Sequence, residues 1–177
     1  MDFSELGLHP DVLDGIDALN FKTATPIQAQ AIPLILQGRD LIGVAQTGTG
    51  KTAAFVLPII DLILDEPESK FIKALIIVPT RELALQVASD LTLAGADRGI
   101  RVLTVYGGVP YETQLDALKS GVDVVVGTPG RLIDLMNKRA LDVSHVKSLV
   151  LDEADEMLDL GFLPDVEKLI RNTPETR

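Results

Sequence analysis

The sequence contains no cysteine and no tryptophan, and aromatic residues make up only 4 % of its 177 positions. Without cysteine, neither a disulfide nor a thiolate metal site can form. The shortage of aromatic side chains leaves Leu, Ile, Val and Ala to build the core, and apolar residues make up 46 % of the chain. We therefore expect one domain of ordinary size, residues 1–177, with an aliphatic core and no covalent cross-links.

Long apolar runs and an excess of basic residues are also missing. No window is long and apolar enough to span a bilayer, and no basic segment followed by an apolar run marks a signal peptide. Together with the lack of cysteine, this predicts a cytoplasmic protein without a membrane partner. Twenty-six acidic against sixteen basic residues give a net charge of −10. Taken alone, that charge argues against nucleic acid as a partner, because the usual footprint is basic.

Apolar runs alternate with helical patterns along the whole chain. The run at 74–78 is continuous and shows no polar alternation, which is typical of a strand buried on both faces of a parallel sheet. This order predicts an α/β domain, a mostly parallel β-sheet sandwiched by α-helices, with ligands at the carboxyl ends of the strands. Strands are predicted at 41–44, 74–78, 101–106, 122–126 and 148–151, and helices near 10–19, 26–36, 52–64, 80–95, 111–118, 129 onward and 163–170, with an exposed loop at 65–69.

Residues 45–52, AQTGTGKT, follow the first apolar run and precede a helical pattern. Strand, glycine loop and helix form the context of a phosphate-binding loop. Gly48 and Gly50 allow the backbone to turn successive amides towards an anion, and the helix start adds free amides and partial positive charge. Lys51 is predicted to reach the outer phosphates and the Thr52 hydroxyl to bind Mg²⁺. The strict pattern has glycine at Ala45, and a Gly-Lys-Thr tripeptide alone also occurs by chance in turns.

An acidic pair follows the last predicted strand. Asp152 is predicted to reach the Mg²⁺ held by Thr52, through a water molecule, and Glu153 to orient and deprotonate the attacking water. The alternative is that both carboxylates are simply solvated, as most acidic pairs are. The phosphate-binding loop upstream favours the catalytic interpretation, with Lys51, Asp152 and Glu153 as catalytic residues.

The DEAD tetrapeptide at 152–155, together with AQTGTGKT at 45–52, resembles the DEAD-box family of ATP-dependent RNA helicases. Further segments resemble that family's motifs in order over essentially the whole chain. They are FKTATPIQ at 21–28, PTRELA at 79–84, Gly107-Gly108 and TPGR at 128–131, with Phe3 as the upstream aromatic residue. The resemblance implies the first RecA-like domain of a two-domain ATPase.

The resemblance assigns adenine recognition to Phe21 and Gln28. A Gln amide can both donate to and accept from adenine, which would select ATP, and Phe21 could stack on the base. The bland alternatives are a helix-surface Gln and a core Phe. The family usually has Gly where this chain has Asn20, and often Pro where it has Ala24. The implied ATP-binding set is Phe21, Gln28, Ala45, Gln46, Thr47, Gly48, Thr49, Gly50, Lys51 and Thr52.

The family's RNA-contacting motifs imply six backbone contacts here: Thr80, Arg81, Gly107, Gly108, Thr128 and Arg131. Glycines permit close approach, and amides at the helix starts after Pro79 and Pro129 can hold phosphates. Amide dipoles and a few placed arginines need no global positive charge, which answers the objection from net charge in part. For Arg81, a pair with a nearby acid is an equally good interpretation.

The second RecA-like domain of the family is not in these 177 residues. It supplies arginines to the γ-phosphate, so we expect the chain alone to bind nucleotide weakly and to hydrolyse it at a negligible rate. The family's Ser-Ala-Thr strand, which lies between the phosphate-loop strand and the Asp-Glu strand, is also missing. We expect further residues, or a strand of another chain, to occupy that position, because its neighbours would otherwise be unpaired.

Two rival functions remain open from the sequence. One is a phosphate-loop ATPase that acts on something other than RNA. The other is a non-catalytic RNA-binding or scaffolding module, against which the intact Lys51, Thr52, Asp152 and Glu153 argue.

Overall fold

The computed structural model describes residues 1–46, 48–66, 70–95 and 98–177. The chain divides into two compact units, Met1–Pro67 with Ser89–Ile100 and Glu68–Ala88 with Arg101–Arg177. One long helix contributes its first half to the second unit and its last turns to the first. In the described part of the chain, no helix combines the length and apolar character needed to cross a membrane.

The first unit is helical. Two of its helices begin at a proline, which is favoured at the first helical position because its missing N–H would have no partner there. A third helix begins directly after the glycine loop, with Gly50 as its N-cap. Gly15 lies so close to the Ala94 carbonyl that a β-carbon would collide with it, so two helices approach there by their backbones. The elements are a 3₁₀ turn Phe3–Glu5, α1 Pro10–Ala18, α2 Pro26–Leu36, α3 Lys51–Asp65 and the end of α4 Arg81–Gly95.

The second unit contains a four-stranded parallel sheet in the order β2-β3-β1-β4. The registers align the last residues of the four strands, so the segments that follow them emerge along one edge. Helices flank the sheet, as the alternating pattern predicts, and the α/β class is confirmed. The strands are β1 Ala74–Ile77, β2 Val102–Val105, β3 Val124–Gly127 and β4 Ser148–Leu151, and the helices are the start of α4, α5 Tyr111–Ser120, α6 Pro129–Asn137, α7 Ala154–Asp159 and α8 Leu163–Arg171.

The core of this unit is aliphatic, as the composition requires. Every residue of β1 and β3 is buried, which fits their position between other strands. Leu132 and Leu135 of α6 and Leu169 of α8 are fully buried against the sheet residues. β4 is only half-buried, because among the described residues it has a strand on one side only.

The prediction of a strand at 41–44 is wrong. Residues 41–46 adopt no regular structure, and the side chains of Ile42 and Val44 are 94 % and 92 % exposed. A strand forms only where a neighbour supplies ladder hydrogen bonds, and no strand of the described residues pairs with this stretch. The sequence reading also omitted the short helix α7, which follows the acidic pair. Residues 67–69 of the predicted loop lie outside the described residues.

A buried charge cluster ties the amino ends of three strands together. Asp123, just before β3, accepts hydrogen bonds from Lys73 Nζ at 2.7 Å and from the Arg101 backbone and guanidinium at 2.9 to 3.3 Å. Burial alone would raise the pKa of Asp123, but the hydrogen bonds from Arg101 and Lys73 outweigh it and hold that pKa below its usual value. This cluster lies at the amino ends of the strands, opposite to the edge at which the strands end.

Candidate functional site: a nucleotide loop and a row of strand-end motifs

The glycine loop opens α3 as the sequence predicts. Gly48 and Gly50 have φ of +84° and +82°, a conformation that side chains rarely adopt. Gly50 caps the helix, so Lys51 and Thr52 stand in its first turn, where backbone amides have no partner within the helix. The Thr49 hydroxyl donates to the Gln46 carbonyl at 2.5 Å and closes the loop locally. Ala45 is half-buried, and Thr47 lies outside the described residues.

Gln28 is not a surface residue, since its side chain is only 1 % exposed. Its Oε1 accepts from the Thr25 amide at 3.0 Å, and its Nε2 donates to the Gly50 carbonyl at 3.0 Å. A β-carbon on Gly50 would collide with the Gln28 amide. The glutamine therefore joins the start of α2 to the glycine loop through both ends of its amide.

Phe21 is half-buried and stacks on buried Phe3, with ring centroids 6.2 Å apart and an interplanar angle of 18°. The upstream aromatic residue thus packs against the one in the segment that is predicted to recognise adenine. Asn20, which precedes Phe21, has φ of +59°. Since Asn tolerates this conformation better than most side chains, the departure from glycine at position 20 preserves the backbone shape.

The acidic pair stands directly after β4. The Asp152 amide donates to the Ile77 carbonyl at 3.0 Å, and the Asp152 side chain is 4 % exposed, so it is not a solvated surface acid. Glu153 caps α7 with φ of +55°, a left-handed conformation that costs a non-glycine residue about 1–2 kcal/mol. Such strain is typical of functional positions, where the surrounding structure holds it in place.

Four signature segments line one edge of the sheet of the second unit. They follow β2, β3, β1 and β4, so the strand order places them side by side. Because adjacent strands are about 4.8 Å apart, neighbouring segments lie within reach of one extended ligand. Their order along the edge is Gly107-Gly108, then 128–131, then Thr80-Arg81, then Asp152-Glu153.

Thr80 and Arg81 begin α4. The Thr80 hydroxyl oxygen accepts from the Leu83 amide at 3.2 Å, which leaves its own proton for another partner. The guanidinium of Arg81 lies over the Tyr106 ring, 4.7 Å from its centroid, and Arg81 is exposed. Arg81 forms no ion pair with an acid among the described residues, so the stacking contact replaces the acidic partner considered from the sequence.

Gly107 and Gly108 form the turn after β2. Gly108 needs glycine for its φ of +85°, but Gly107 has no positive φ, and a β-carbon there would meet nothing within 4 Å. Neither amide donates to another described residue. The fold therefore does not explain the absence of a side chain at Gly107, whereas close approach by a ligand would.

Thr128 and Arg131 stand at the start of α6, and they differ in exposure. Thr128 is the N-cap, yet its side chain makes no capping hydrogen bond, and it is half-buried. Arg131 is only 8 % exposed. Its Nη1 donates to the Val109 carbonyl at 3.0 Å and to Gln114 Oε1 at 3.1 Å, and its guanidinium lies 4.0 Å from the Tyr111 ring centroid. An RNA contact by Arg131 stays a prediction.

Three residues of this edge are not among the binding residues predicted from the sequence, although Gly130 lies within the TPGR segment. Gln114 is 4 % exposed and bonds both Arg131 and the Tyr106 carbonyl. Tyr111 stacks on Arg131 and donates to Asp134 at 3.0 Å. Gly130, where a β-carbon would meet nothing, resembles Gly107. A signal was present for Tyr111, because it and Tyr106, the only two tyrosines in the chain, flank the glycine pair in sequence.

The predicted ATP residues fall into the two units. Phe21, Gln28 and the loop 45–52 belong to the first, and Asp152 and Glu153 to the second. No group of three His, Asp or Glu side chains converges as metal ligands within the described residues.

Comparison with known proteins identifies the relatives. The family model described as DEAD/DEAH box helicase matches residues 25–177. The DEAD-box ATP-dependent RNA helicase CshA of Streptococcus pneumoniae serotype 4 is 52 % identical over 177 residues, which is 100 % of this chain and 33 % of the relative. The ATP-dependent RNA helicase CshA of Limosilactobacillus reuteri is 51 % identical over 177 residues, 100 % of this chain and 35 % of the relative.

The corresponding CshA protein of Geobacillus kaustophilus is 49 % identical over 175 residues, 99 % of this chain and 37 % of the relative. The chain thus spans about a third of the length of these relatives. The family model covers most of the chain, and these relatives are 49–52 % identical to it over essentially its whole length. The chain therefore belongs to the DEAD/DEAH box helicase family.

Proposed function

We propose that this chain is the amino-terminal RecA-like, ATP-binding domain of a cytoplasmic ATP-dependent RNA helicase. The observation that supports the proposal is the row of segments at the carboxyl edge of one sheet, where the motifs to which we assign RNA contact and ATP hydrolysis stand side by side. Relatives named as ATP-dependent RNA helicases support it. In the intact protein, ATP and RNA would draw two RecA-like domains together and bend one RNA strand, separating short duplexes.

Within the nucleotide site, each residue has a chemical role. The amides of Gly48 and Gly50 and the start of α3 bind phosphate oxygens, and Lys51 adds a charge-assisted contact. Mg²⁺, when bound, offsets the negative charge of the triphosphate, and Thr52 and Asp152 are the residues that would hold it, Asp152 through water. Glu153 orients the attacking water and accepts its proton.

Adenine recognition falls to Phe21 and Gln28. Gln28 already bonds to both Thr25 and Gly50, so adenine binding would compete with or add to these bonds. The buried amide has one further donor hydrogen and one further lone pair, which is the pattern needed for bidentate contact with adenine. Phe21 would present a ring braced by Phe3.

RNA would contact Thr80, Arg81, Gly107, Gly108 and Thr128 through its sugar-phosphate backbone, with Arg131 as a sixth residue of the RNA site. Amides and a few cations reach phosphates without a basic surface, so a net charge of −10 is compatible with binding. We expect weak affinity that falls steeply with salt.

The rest of the intact protein would complete the ATPase. A second RecA-like domain would supply arginines for the γ-phosphate, a contribution worth about a thousandfold or more in comparable enzymes. A further strand would pair with the side of β4 that has no strand next to it among the described residues. The 177-residue chain alone would then bind nucleotide weakly and turn it over at a negligible rate.

The test is RNA-dependent ATP hydrolysis by the intact protein. We expect Lys51→Ala to abolish nucleotide affinity, and Glu153→Gln to keep ATP binding but stop hydrolysis. Hydrolysis that ignores RNA would favour a phosphate-loop ATPase of another kind, and absence of nucleotide binding would favour a scaffolding module. Substantial RNA-stimulated turnover by residues 1–177 alone would contradict the assigned need for a second domain.

A further inference from the structure

Two buried side chains hold the carbonyl groups on either side of the glycine pair. Gln114 Nε2 donates to the Tyr106 carbonyl at 3.3 Å, and Arg131 Nη1 donates to the Val109 carbonyl at 3.0 Å. The two side chains also bond to each other at 3.1 Å. The loop 106–109 is therefore anchored at both ends by one connected pair that begins on α5 and α6.

This anchoring sets the direction of an amide. In a planar trans peptide the carbonyl and the amide of the next residue point to opposite sides. With the Tyr106 carbonyl turned inwards to Gln114, the Gly107 amide must point away from the protein. It has no acceptor among the described residues, and no side chain at Gly107 covers it. The result is a fixed outward donor at the position where RNA is proposed to lie.

Arg131 is fixed by its own surroundings. Its guanidinium lies over the Tyr111 ring, and the Tyr111 hydroxyl donates to Asp134 one turn further along α6. At 8 % exposed, Arg131 has little surface to offer to a phosphate. Arg81 provides the contrast, because it also stacks on a tyrosine but is exposed.

We propose that Gln114 and Arg131 are positioning residues that hold the Gly107-Gly108 loop in its RNA-binding shape, and that Arg131 acts through this loop rather than by contacting a phosphate. The inference rests on the proposed RNA-binding function of this edge. The motifs PTRELA and TPGR alone would assign the same role to both arginines. The inference gives them different roles: Arg81 contacts RNA, whereas Arg131 holds the loop backbone that contacts RNA.

The salt dependence of RNA binding distinguishes these roles. Log affinity falls linearly with log salt concentration. Removing a side chain that neutralises one phosphate makes this slope shallower by about 0.7 for single-stranded RNA. Removing a positioning residue weakens binding but leaves the slope unchanged, because the number of neutralised phosphates is the same. Gln114 has no charge, so its loss can affect affinity only through the loop.

The experiment measures binding of an oligouridylate strand to the intact protein, with a non-hydrolysable ATP analogue, over a series of salt concentrations. The variants are Gln114→Met, Arg131→Gln and, as the matched arginine control, Arg81→Gln. We expect Gln114→Met and Arg131→Gln each to weaken binding about tenfold at unchanged slope, as the loss of one or two buried hydrogen bonds implies. Arg81→Gln should make the salt dependence of binding shallower.

The double variant should weaken binding by less than the product of the single effects, since both residues act on one loop. Wild-type affinity in Gln114→Met, or a shallower slope in Arg131→Gln, would overturn the inference. A loss of nucleotide affinity in Gln114→Met and Arg131→Gln equal to the loss of RNA affinity would also overturn it, because a general structural role would then suffice. Failure of the wild-type protein to bind RNA would instead contradict the proposed function.

Discussion

The side-chain amide of Gln28 donates to the carbonyl of Gly50 at 3.0 Å, while its oxygen accepts from the Thr25 amide. One buried side chain thus connects the proposed adenine-recognition segment with the proposed phosphate-binding loop. Any ligand that repositions the Gln28 amide would therefore change its hydrogen bond to the loop backbone at Gly50. This relationship makes Gln28 a residue whose chemistry, and not only its size, should matter.

We predict that Gln28→Glu lowers nucleotide affinity at least tenfold and destabilises the protein by about 1–3 kcal/mol. The substitution keeps the acceptor for Thr25 but replaces the donor to Gly50 with an oxygen that faces a carbonyl. Isothermal titration with ADP and urea unfolding measure the two effects. Gln30→Glu, on an exposed position of the same helix, is the matched control. Equal behaviour of the two variants would refute the role of the bond.

A second prediction concerns the left-handed backbone at Glu153. Glu153→Gly should be more stable than Glu153→Ala by about 1 kcal/mol or more, because glycine adopts positive φ without strain. Both variants remove the carboxylate, so both should lose hydrolysis in the intact protein. Guanidinium unfolding of the pair provides the measurement, and Asp159→Ala serves as a surface control on the helix that Glu153 caps. Identical stabilities for the Gly and Ala variants at position 153 would argue against the strained conformation.

Gly107→Ala is predicted to separate folding from RNA binding. A β-carbon at position 107 would meet nothing within 4 Å, and the backbone there has no positive φ. The free energy of unfolding should therefore stay within about 0.5 kcal/mol of wild type. RNA affinity should fall, because the methyl group stands beside the outward amide. Thermal unfolding and RNA titration of the intact protein measure the two quantities. Unchanged RNA affinity would mean that RNA does not approach this backbone closely.

The charge cluster around Asp123 predicts acid sensitivity. A carboxyl group whose pKa is lower in the folded than in the unfolded protein stabilises the fold above the unfolded value of 3.8, and this contribution is lost as pH falls through the lower folded value. Asp123→Asn should therefore flatten the pH dependence of stability below about pH 4. It should also cost about 3–5 kcal/mol at neutral pH, because Lys73 loses the buried carboxylate that balances its charge.

Unfolding of Asp123→Asn in urea at a series of pH values tests this prediction. Asp116→Asn, which changes an exposed carboxylate on α5, is the control and should shift stability by less than about 0.5 kcal/mol. Parallel pH profiles for the wild-type protein and the Asp123→Asn variant would exclude the Asp123 cluster as the source of acid sensitivity.

Much of the fold could be predicted from the sequence because the local signals agree with the tertiary structure. The fully apolar run at 74–78 and the run at 122–126, which is apolar except for Asp123, became the central strands, and proline or glycine marked most helix starts. The run at 41–44 has the same local character but remains irregular, since a strand also needs a partner that lies next to it. Periodicity describes a segment and carries no information about its neighbours.

The candidate site divides in the same way. Glycines and acids in motif spacing predicted the glycine loop before α3, the acidic pair after β4 and the Gly107-Gly108 turn. Spacing could not show that Arg131 is buried while Arg81 is exposed, or that Gln114 joins Arg131 to the loop. Burial and hydrogen bonding arise from how helices pack. An arginine within a motif looks the same in the sequence whether it is buried and positions a loop or is exposed and contacts a ligand.

The most direct test of the account is a crystal structure of the chain with ADP and Mg²⁺. It should show one nucleotide, with Lys51 Nζ on the β-phosphate, Thr52 Oγ1 on the metal and Asp152 bonded to a water of the same metal. A nucleotide bound away from residues 48–52, or an Asp152 carboxylate out of reach of the metal's water shell, would contradict it.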